Sequence, residues 1–285
     1  MSGSTSLASR AAGRLGRYGW LHRLIGAVRI YQLAGAILRR RPIVRRLRGG
    51  RLVYRISSPD QFGIEGELFG QQIYAPALAG GSITAYVDLG CNAGWFAVWL
   101  AAEAPDVERV GLLFDADQHM VDEALWHLRA NRLKNQDVVY GAVGLPLGTP
   151  NAVFHIHPSS AASTLLDYER EKGGQPPAKG TVRTVTVPAV SISEEWRKRF
   201  GDRQVDMVKM NIEGSELDVI RYEHEFFAAQ VRSVILQWHK WHVRLEELDA
   251  ALRTSGFVHR QTYGETAWYG TALYSRAPIQ ADAGG

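Results

Sequence analysis

From Ile83 to Tyr274 short apolar runs alternate with amphipathic stretches, a pattern that predicts strands and helices in turn. Ile83–Leu89 has the β-branched content of a buried strand, and Trp95–Ala102 is the helix that packs on it. Val110–Phe114 forms a second strand ending in Asp115, Gln118–Leu133 a helix and Val138–Val143 a third strand. Ala152–Ile156 and Val182–Val187 flank a polar, Gly- and Pro-bearing loop, Asp167–Gly180, and predict a hairpin inserted near the ligand-binding face. Ile192–Phe200 is a helix, Val205–Ile212 a strand and Ser215–Phe227 a helix. Val231–Gln237 is then a strand and Val243–Ser255 a helix, and Phe257–Gln261 with Ala267–Tyr274 closes the series as an antiparallel pair. Repeated βα units imply an α/β fold: a doubly wound, mostly parallel seven-stranded sheet with helices on both faces and an antiparallel C-terminal edge.

The first 59 residues follow other rules. Between Trp20 and Leu38 the apolar positions Leu21, Leu24, Ile25, Val28 and Tyr31 fall at helical spacing, with His22, Arg23 and Arg29 on other faces. The charge-free stretch Ile30–Leu38 is too short to span a bilayer, which takes about 20 apolar residues. The cluster Arg39-Arg-Arg-Pro-Ile-Val-Arg-Arg-Leu-Arg48 follows at once. The expected organisation is a basic helical arm over residues 1–59, an α/β domain over 60–276 and a disordered tail over 277–285. In residues 60–80 a helix and loop lead into the domain and are placed to fold over a ligand.

Charge sharpens that division. The net charge is only +4, yet residues 1–59 hold 13 Arg and no acid, leaving 20 basic against 29 acidic residues in the remainder. Such an arm suits four readings: a helical cap with a solvated basic rim, a peripheral contact with an anionic membrane through residues 18–48, an organelle transit peptide, or a grip on nucleic acid. Arg outnumbers Lys 27 to 6 over the whole chain, so part of the arginine excess is general usage. The single cysteine, Cys91, rules out an internal disulfide and fits a reducing, cytoplasmic compartment, with the arm at the inner face of a membrane on the second reading.

The candidate chemistry gathers at three strand ends. The turn Asp88-Leu-Gly-Cys-Asn-Ala-Gly94 joins strand to helix with Gly90 and Gly94 four apart, flanked by Asp88 and Asn92. It lacks the full set of glycines that bring a pyrophosphate against backbone amides. One carboxylate and one amide instead suit a nucleoside with little negative charge, such as S-adenosylmethionine. Asp115, 21 residues after Gly94, stands where a carboxylate can accept ribose hydroxyls, while Asp117 is the expected helix cap. A second strand ends in Asn211, Glu213 and Gly214. A third ends in Gln237 and His239, which share a strand face. His239 is the first choice for a general base and Glu213 the second. Trp238, Trp241, Trp268 and Tyr269 are candidates for an acceptor wall, and core packing accounts for most of them equally well. His155 and His157 share a face without a third ligand, so no metal site is expected.

These residues carry a resemblance. Tyr86–Phe96, Gly141-Ala-Val-Gly144, Val208-Lys-Met-Asn-Ile-Glu-Gly-Ser-Glu216 and Leu236-Gln-Trp-His239, in that order, resemble the FkbM-type S-adenosylmethionine-dependent methyltransferases over about residues 65–275. The Lys-x-x-x-Glu-Gly-x-Glu element is the most specific part. The resemblance implies a Rossmann-like class I methyltransferase fold, S-adenosylmethionine as cofactor, and O-methylation of a hydroxyl on a sugar, glycolipid or polyketide-type product. Cofactor contacts would fall at Asp88, Gly90, Asn92, Gly94, Asp115 and Ala142, and acceptor contacts at Asn211, Gln237 and Trp241. The family commonly has Asp at Asn211 and Glu at Gln237; both changes remove negative charge and weaken a divalent-metal or carboxylate-base role there. The alternatives are an RNA methyltransferase gripping phosphates with its arm and a nucleoside-binding scaffold without catalysis. The chain lacks the Asn/Asp-Pro-Pro-Tyr/Phe run of base amino-methylases, and its catalytic part is acidic, so nucleic acid is the less expected partner.

Overall fold

The computed structural model describes residues 28–47, 50–78, 80–157, 163–165 and 182–278. The chain divides into two compact units, Met1–Gln72 and Ile73–Gly285. The division falls at Gln72, so the predicted lead-in is shared between them. Residues 1–27, the Asp167–Gly180 loop and the tail from 279 onward lie outside the described residues.

In the first unit, helix α1 (Val28–Arg40) continues the helical spacing of the arm. The arm is not helical throughout. Ile43–Leu47 (β1) and Leu52–Ile56 (β2) pair as an antiparallel hairpin, from Ile43 opposite Ile56 to Leu47 opposite Leu52. The arginines of Arg39–Arg48 masked an apolar strand signal in Ile-Val-Arg-Arg-Leu. A short helix, α2 (Gln61–Glu65), runs into a π-helical turn at Gly66–Gly70. Its buried Glu65 takes an ion pair from Arg45 at 2.7 Å and a hydrogen bond from the Tyr54 hydroxyl.

The second unit is built on one seven-stranded sheet. Its strands are β3 (Ala85–Leu89), β4 (Val110–Asp115), β5 (Gln136–Tyr140), β8 (Val205–Met210), β9 (Val231–His239), β10 (His259–Tyr263) and β11 (Tyr269–Ser275). The order across the sheet is β10-β11-β9-β8-β3-β4-β5. From β9 to β5 the pairing is parallel. The C-terminal strands form the expected antiparallel pair, with β11 inserted between β9 and β10. Strand order reverses between β3 and β8, so the carboxyl ends of those two strands border the crevice in which open α/β sheets bind ligands.

Side-chain alternation sorts the sheet into two faces. Val87, Leu89, Phe114, Val208, Met210, Leu236 and Trp238 enter the main hydrophobic core. The opposite face carries Tyr86, Asp88, Lys209, Gln237 and His239, all buried. Helix α3 (Trp95–Glu103) is apolar on every side, and its first eight residues are buried accordingly. Helix α4 (Gln118–Ala130) begins at Asp117, whose side chain accepts from the His119 N–H at 2.9 Å. A separate two-stranded sheet pairs β6 (Asn151–Ile156) with β7 (Arg183–Pro188), the predicted hairpin. Helix α5 (Ile192–Phe200) matches its predicted span. The helix expected over Ser215–Phe227 is instead two, α6 (Glu216–Tyr222) and α7 (His224–Gln230). The break falls at Glu223, whose buried carboxylate leaves its own helix to accept the Ile192 and Ser193 N–H groups at the start of α5, at 2.7 and 3.3 Å. Helix α8 (Leu245–Thr254) precedes the last two strands.

Candidate active site

The loop between β3 and α3 is held in shape from inside. Gly90 and Gly94 have φ of +67° and +72°, and Asn92, a non-glycine, has +49°. A Cβ on Gly90 would lie 2.0 Å from the Asn211 carbonyl oxygen, so glycine is what lets this loop touch the end of β8. The amides from Cys91 to Gly94 are all spent. Cys91 N–H donates to the Phe114 carbonyl and Gly94 N–H to the Cys91 carbonyl. Asn92 N–H donates to Asp115 Oδ2 at 2.8 Å, and Ala93 N–H to the Asn92 side chain at 2.8 Å. Those four amides are not available to a phosphate, whereas a nucleoside that brings hydroxyl donors of its own fits.

Asp115 supplies acceptors for such hydroxyls. Its two oxygens take one backbone N–H each, from Asn92 and Asp117, leaving lone pairs unused. Burial pushes its carboxyl up to about 7, against the opposing effect of the Asp117 and Asn92 amides. Asp88 is buried and paired with Lys209 Nζ at 2.8 Å, and the same ammonium donates to the Gly90 carbonyl at 2.8 Å. Burial raises the Asp88 carboxyl and Lys209 pulls it back, while Asp88 and the Tyr74 ring, 5.8 Å from Nζ, favour the charged lysine. Strand alternation directs Lys209 to Asp88, its register neighbour on β3.

The second cluster joins β9 to the turn after β8. His239 is 4% exposed, with Nδ1 2.9 Å from Glu216 Oε1 and Nε2 3.1 Å from Glu213 Oε1. Burial works against a charged imidazole, but the two glutamates outweigh it and raise His239 to about 10. Glu216, fully buried, is held down by His239 and by the Gly214 amide in spite of its own burial. His239 is therefore an imidazolium at neutral pH. Both ring nitrogens then donate to glutamate oxygens, and neither presents a lone pair to a substrate proton. Glu213 sits at φ +53°, and its carbonyl accepts from Thr164 Oγ1 at 2.9 Å, which brings the β6–β7 insertion to this turn. Glu216 and Thr164 were not singled out from the sequence. Glu216 was legible as the last member of Lys-x-x-x-Glu-Gly-x-Glu, whereas Thr164 had no signal at all.

The remaining predicted residues take different places. Asn211 follows β8, and its buried side-chain oxygen has no hydrogen-bond partner among the described residues, an open acceptor beside the Gly90 loop. The Trp241 ring lies 6.2 Å from His239. Gln237 is buried on the same strand face as His239, opposite Thr271. Ala142 packs with Ala116, Phe154 and Val187, and its N–H and C=O are both paired, with Pro188 and Val190. Among the described residues no three His, Cys, Asp or Glu converge as a metal site.

The model of the methyltransferase FkbM domain matches residues 88–261, more than half of the chain. The chain belongs to the FkbM methyltransferase family. The matched segment runs from the Asp88 loop through Glu213 and His239 into β10. The methyltransferase FkbM of Methylobacillus flagellatus KT is similar at 13% identity over 68% of this methyltransferase and 44% of that chain, with a TM-score of 0.46. The M. capricolum TrmK solved with S-adenosyl-homocysteine is similar at 10% identity over 75% and 71%, TM-score 0.43. The N-terminal domain of EvdMO1 with the same product bound has 12% identity over 73% and 80%, TM-score 0.42. No curated protein matches this methyltransferase.

Proposed function

We propose that this methyltransferase uses S-adenosylmethionine to methylate a hydroxyl on a sugar, glycolipid or polyketide-type acceptor, with Glu213 as the general base. Bound at the Asp88–Gly94 loop, the cofactor supplies a methyl group on an electrophilic sulfonium. Asp115 accepts the ribose hydroxyls, the amides from Cys91 to Gly94 are paired internally, and Asp88 and Lys209 keep that loop against β8. Four carboxylates (Asp88, Asp115, Glu213 and Glu216) against two cations suit a positively charged ligand.

The observation that carries the reading is the Glu216–His239–Glu213 chain at the sheet's carboxyl edge. Glu216 fixes the imidazolium, and the imidazolium fixes the Glu213 carboxylate. As the acceptor oxygen forms its bond to carbon, its proton passes to Glu213, a contribution of about 10²–10⁴-fold. Alignment of the hydroxyl by Asn211, Gln237 and Trp241 supplies part of the roughly 7–11 kcal/mol that positioning can yield. The test is a mass-spectrometric screen of glycosides, glycolipids and macrolides with isotopically labelled S-adenosylmethionine. A mass gain of one labelled methyl group on an oxygen, lost in Glu213→Gln, is the expected result. Methylation confined to nitrogen, or full turnover in Glu213→Gln, overturns it.

A further inference from the structure

The described part of the N-terminal unit carries a surface of interleaved aliphatic and arginine side chains. Helix α1 exposes Leu33, Ala36, Ile37 and Arg40 at i, i+3, i+4 and i+7, so one stripe of the helix is apolar and ends in a cation. Leu33 is 61% exposed and Ile37 53%. Arg41 N–H still bonds to the Ile37 carbonyl, and β1 then begins with Ile43 and Val44, 42% and 56% exposed. Exposed Arg39, Arg40, Arg41 and Arg46 are interleaved with these four aliphatic side chains. From Val28 to Pro59 the chain has nine Arg and no Lys, Asp or Glu.

We propose that this segment is a peripheral docking surface for an anionic lipid bilayer. Exposed aliphatic side chains cost free energy in water, and the surface of a headgroup layer is where they and arginines are satisfied together. Charge decides among occupants. A second copy of the same face would set arginine against arginine. A nucleic acid would match the charge, but Leu33, Ile37, Ile43 and Val44, the apolar side chains of this surface, give bases no ring to stack on. At 13 residues α1 is about 20 Å long, and no helix among the described residues is long and apolar enough to cross a membrane. On this proposal the described segment lies along the interface.

The experiment is co-sedimentation of the full chain with vesicles of phosphatidylcholine containing phosphatidylglycerol, and with phosphatidylcholine alone. Binding to the anionic vesicles that weakens with salt is expected, with little binding to the neutral ones. The triple change Arg39→Gln, Arg40→Gln, Arg41→Gln should lower the partition coefficient by roughly 100-fold, at about fivefold per arginine. Leu33→Asn with Ile37→Asn leaves the charge unchanged and should lower it by at least ~10-fold. Circular dichroism and S-adenosyl-homocysteine calorimetry on each variant report folding independently of lipid. Absence of binding to anionic vesicles, equal binding to neutral ones, or unchanged binding by the asparagine pair overturns the proposal. So does release from the vesicles by polyuridylate that the asparagine pair binds as well as wild type, which would make the surface a nucleic-acid site.

Discussion

His239→Ala tests the electrostatics of the active site directly. The substitution removes the cation between Glu213 and Glu216 and leaves Glu216 fully buried, with only long hydrogen bonds from Ile212 and Gly214 N–H, 3.3 and 3.4 Å, to its nearer oxygen. Stranding one member of a buried pair costs about 3–5 kcal/mol. The imidazole gives a matching figure: its rise from an ordinary 6.5 to about 10 corresponds, at 1.36 kcal/mol per unit, to a ceiling of ~5 kcal/mol. The lowering at Glu216 is the same interaction seen from the other side and adds nothing. The pH dependence has a definite sign. Between about 6.5 and about 10 the folded chain holds a proton that the unfolded chain has released, so raising pH favours unfolding. This contribution is complete below about 6.5 and gone above about 10. Urea melts of wild type and His239→Ala across that window should converge as pH rises. Glu216→Gln with His239→Gln, which removes both charges, should cost less than the sum of its single changes. A difference under ~1 kcal/mol at neutral pH, or one constant from pH 6.5 to 10, would refute the ion-pair account.

Three further outcomes follow from the same geometry. Glu213→Gln should lower kcat by about 10²–10⁴-fold while leaving S-adenosyl-homocysteine affinity, read by calorimetry, unchanged. Asp115→Ala should weaken that affinity and, by orphaning the Asn92 and Asp117 N–H groups, also lower stability by about 1–3 kcal/mol; in the wild type the affinity should also fall as pH drops through about 7, where the carboxylate acceptor becomes protonated. Equal affinities for Asp115→Ala and wild type would remove it as the ribose ligand. Gly90→Ala should destabilise by roughly 2–4 kcal/mol, measured by thermal melts, because alanine resists φ of +67° and its Cβ would overlap the Asn211 carbonyl.

Most of the α/β framework was legible because the central strands β3, β4, β8 and β9 are buried on both faces and the helices that flank them are amphipathic or, like α3, wholly apolar, so each announces itself by local pattern. Ile192–Phe200 was read to the residue, and β8 and β9 to within two. The hairpin β1–β2 was missed because arginines within Ile43–Leu47 overlay its apolar positions. The Ser215–Phe227 helix was read as continuous because Glu223 breaks it through amides some thirty residues earlier in the chain. Such a partner leaves no trace in a sequence window.

The site divides along the same line. The sequence by itself determined which residue types stand at the carboxyl ends of β3, β4, β8 and β9, since strand periodicity and turn glycines are local properties. It also determined the family, through the spacing of Lys209, Glu213 and Glu216. Only the tertiary structure decided who pairs with whom: Lys209 with Asp88, Glu216 with His239, the Asn92 amide with Asp115. Those pairings set the protonation states. A lone strand-end histidine is a plausible base, but one enclosed by two glutamates keeps its proton. Charge state depends on distance and burial, and both arise only when strands far apart in sequence are laid side by side.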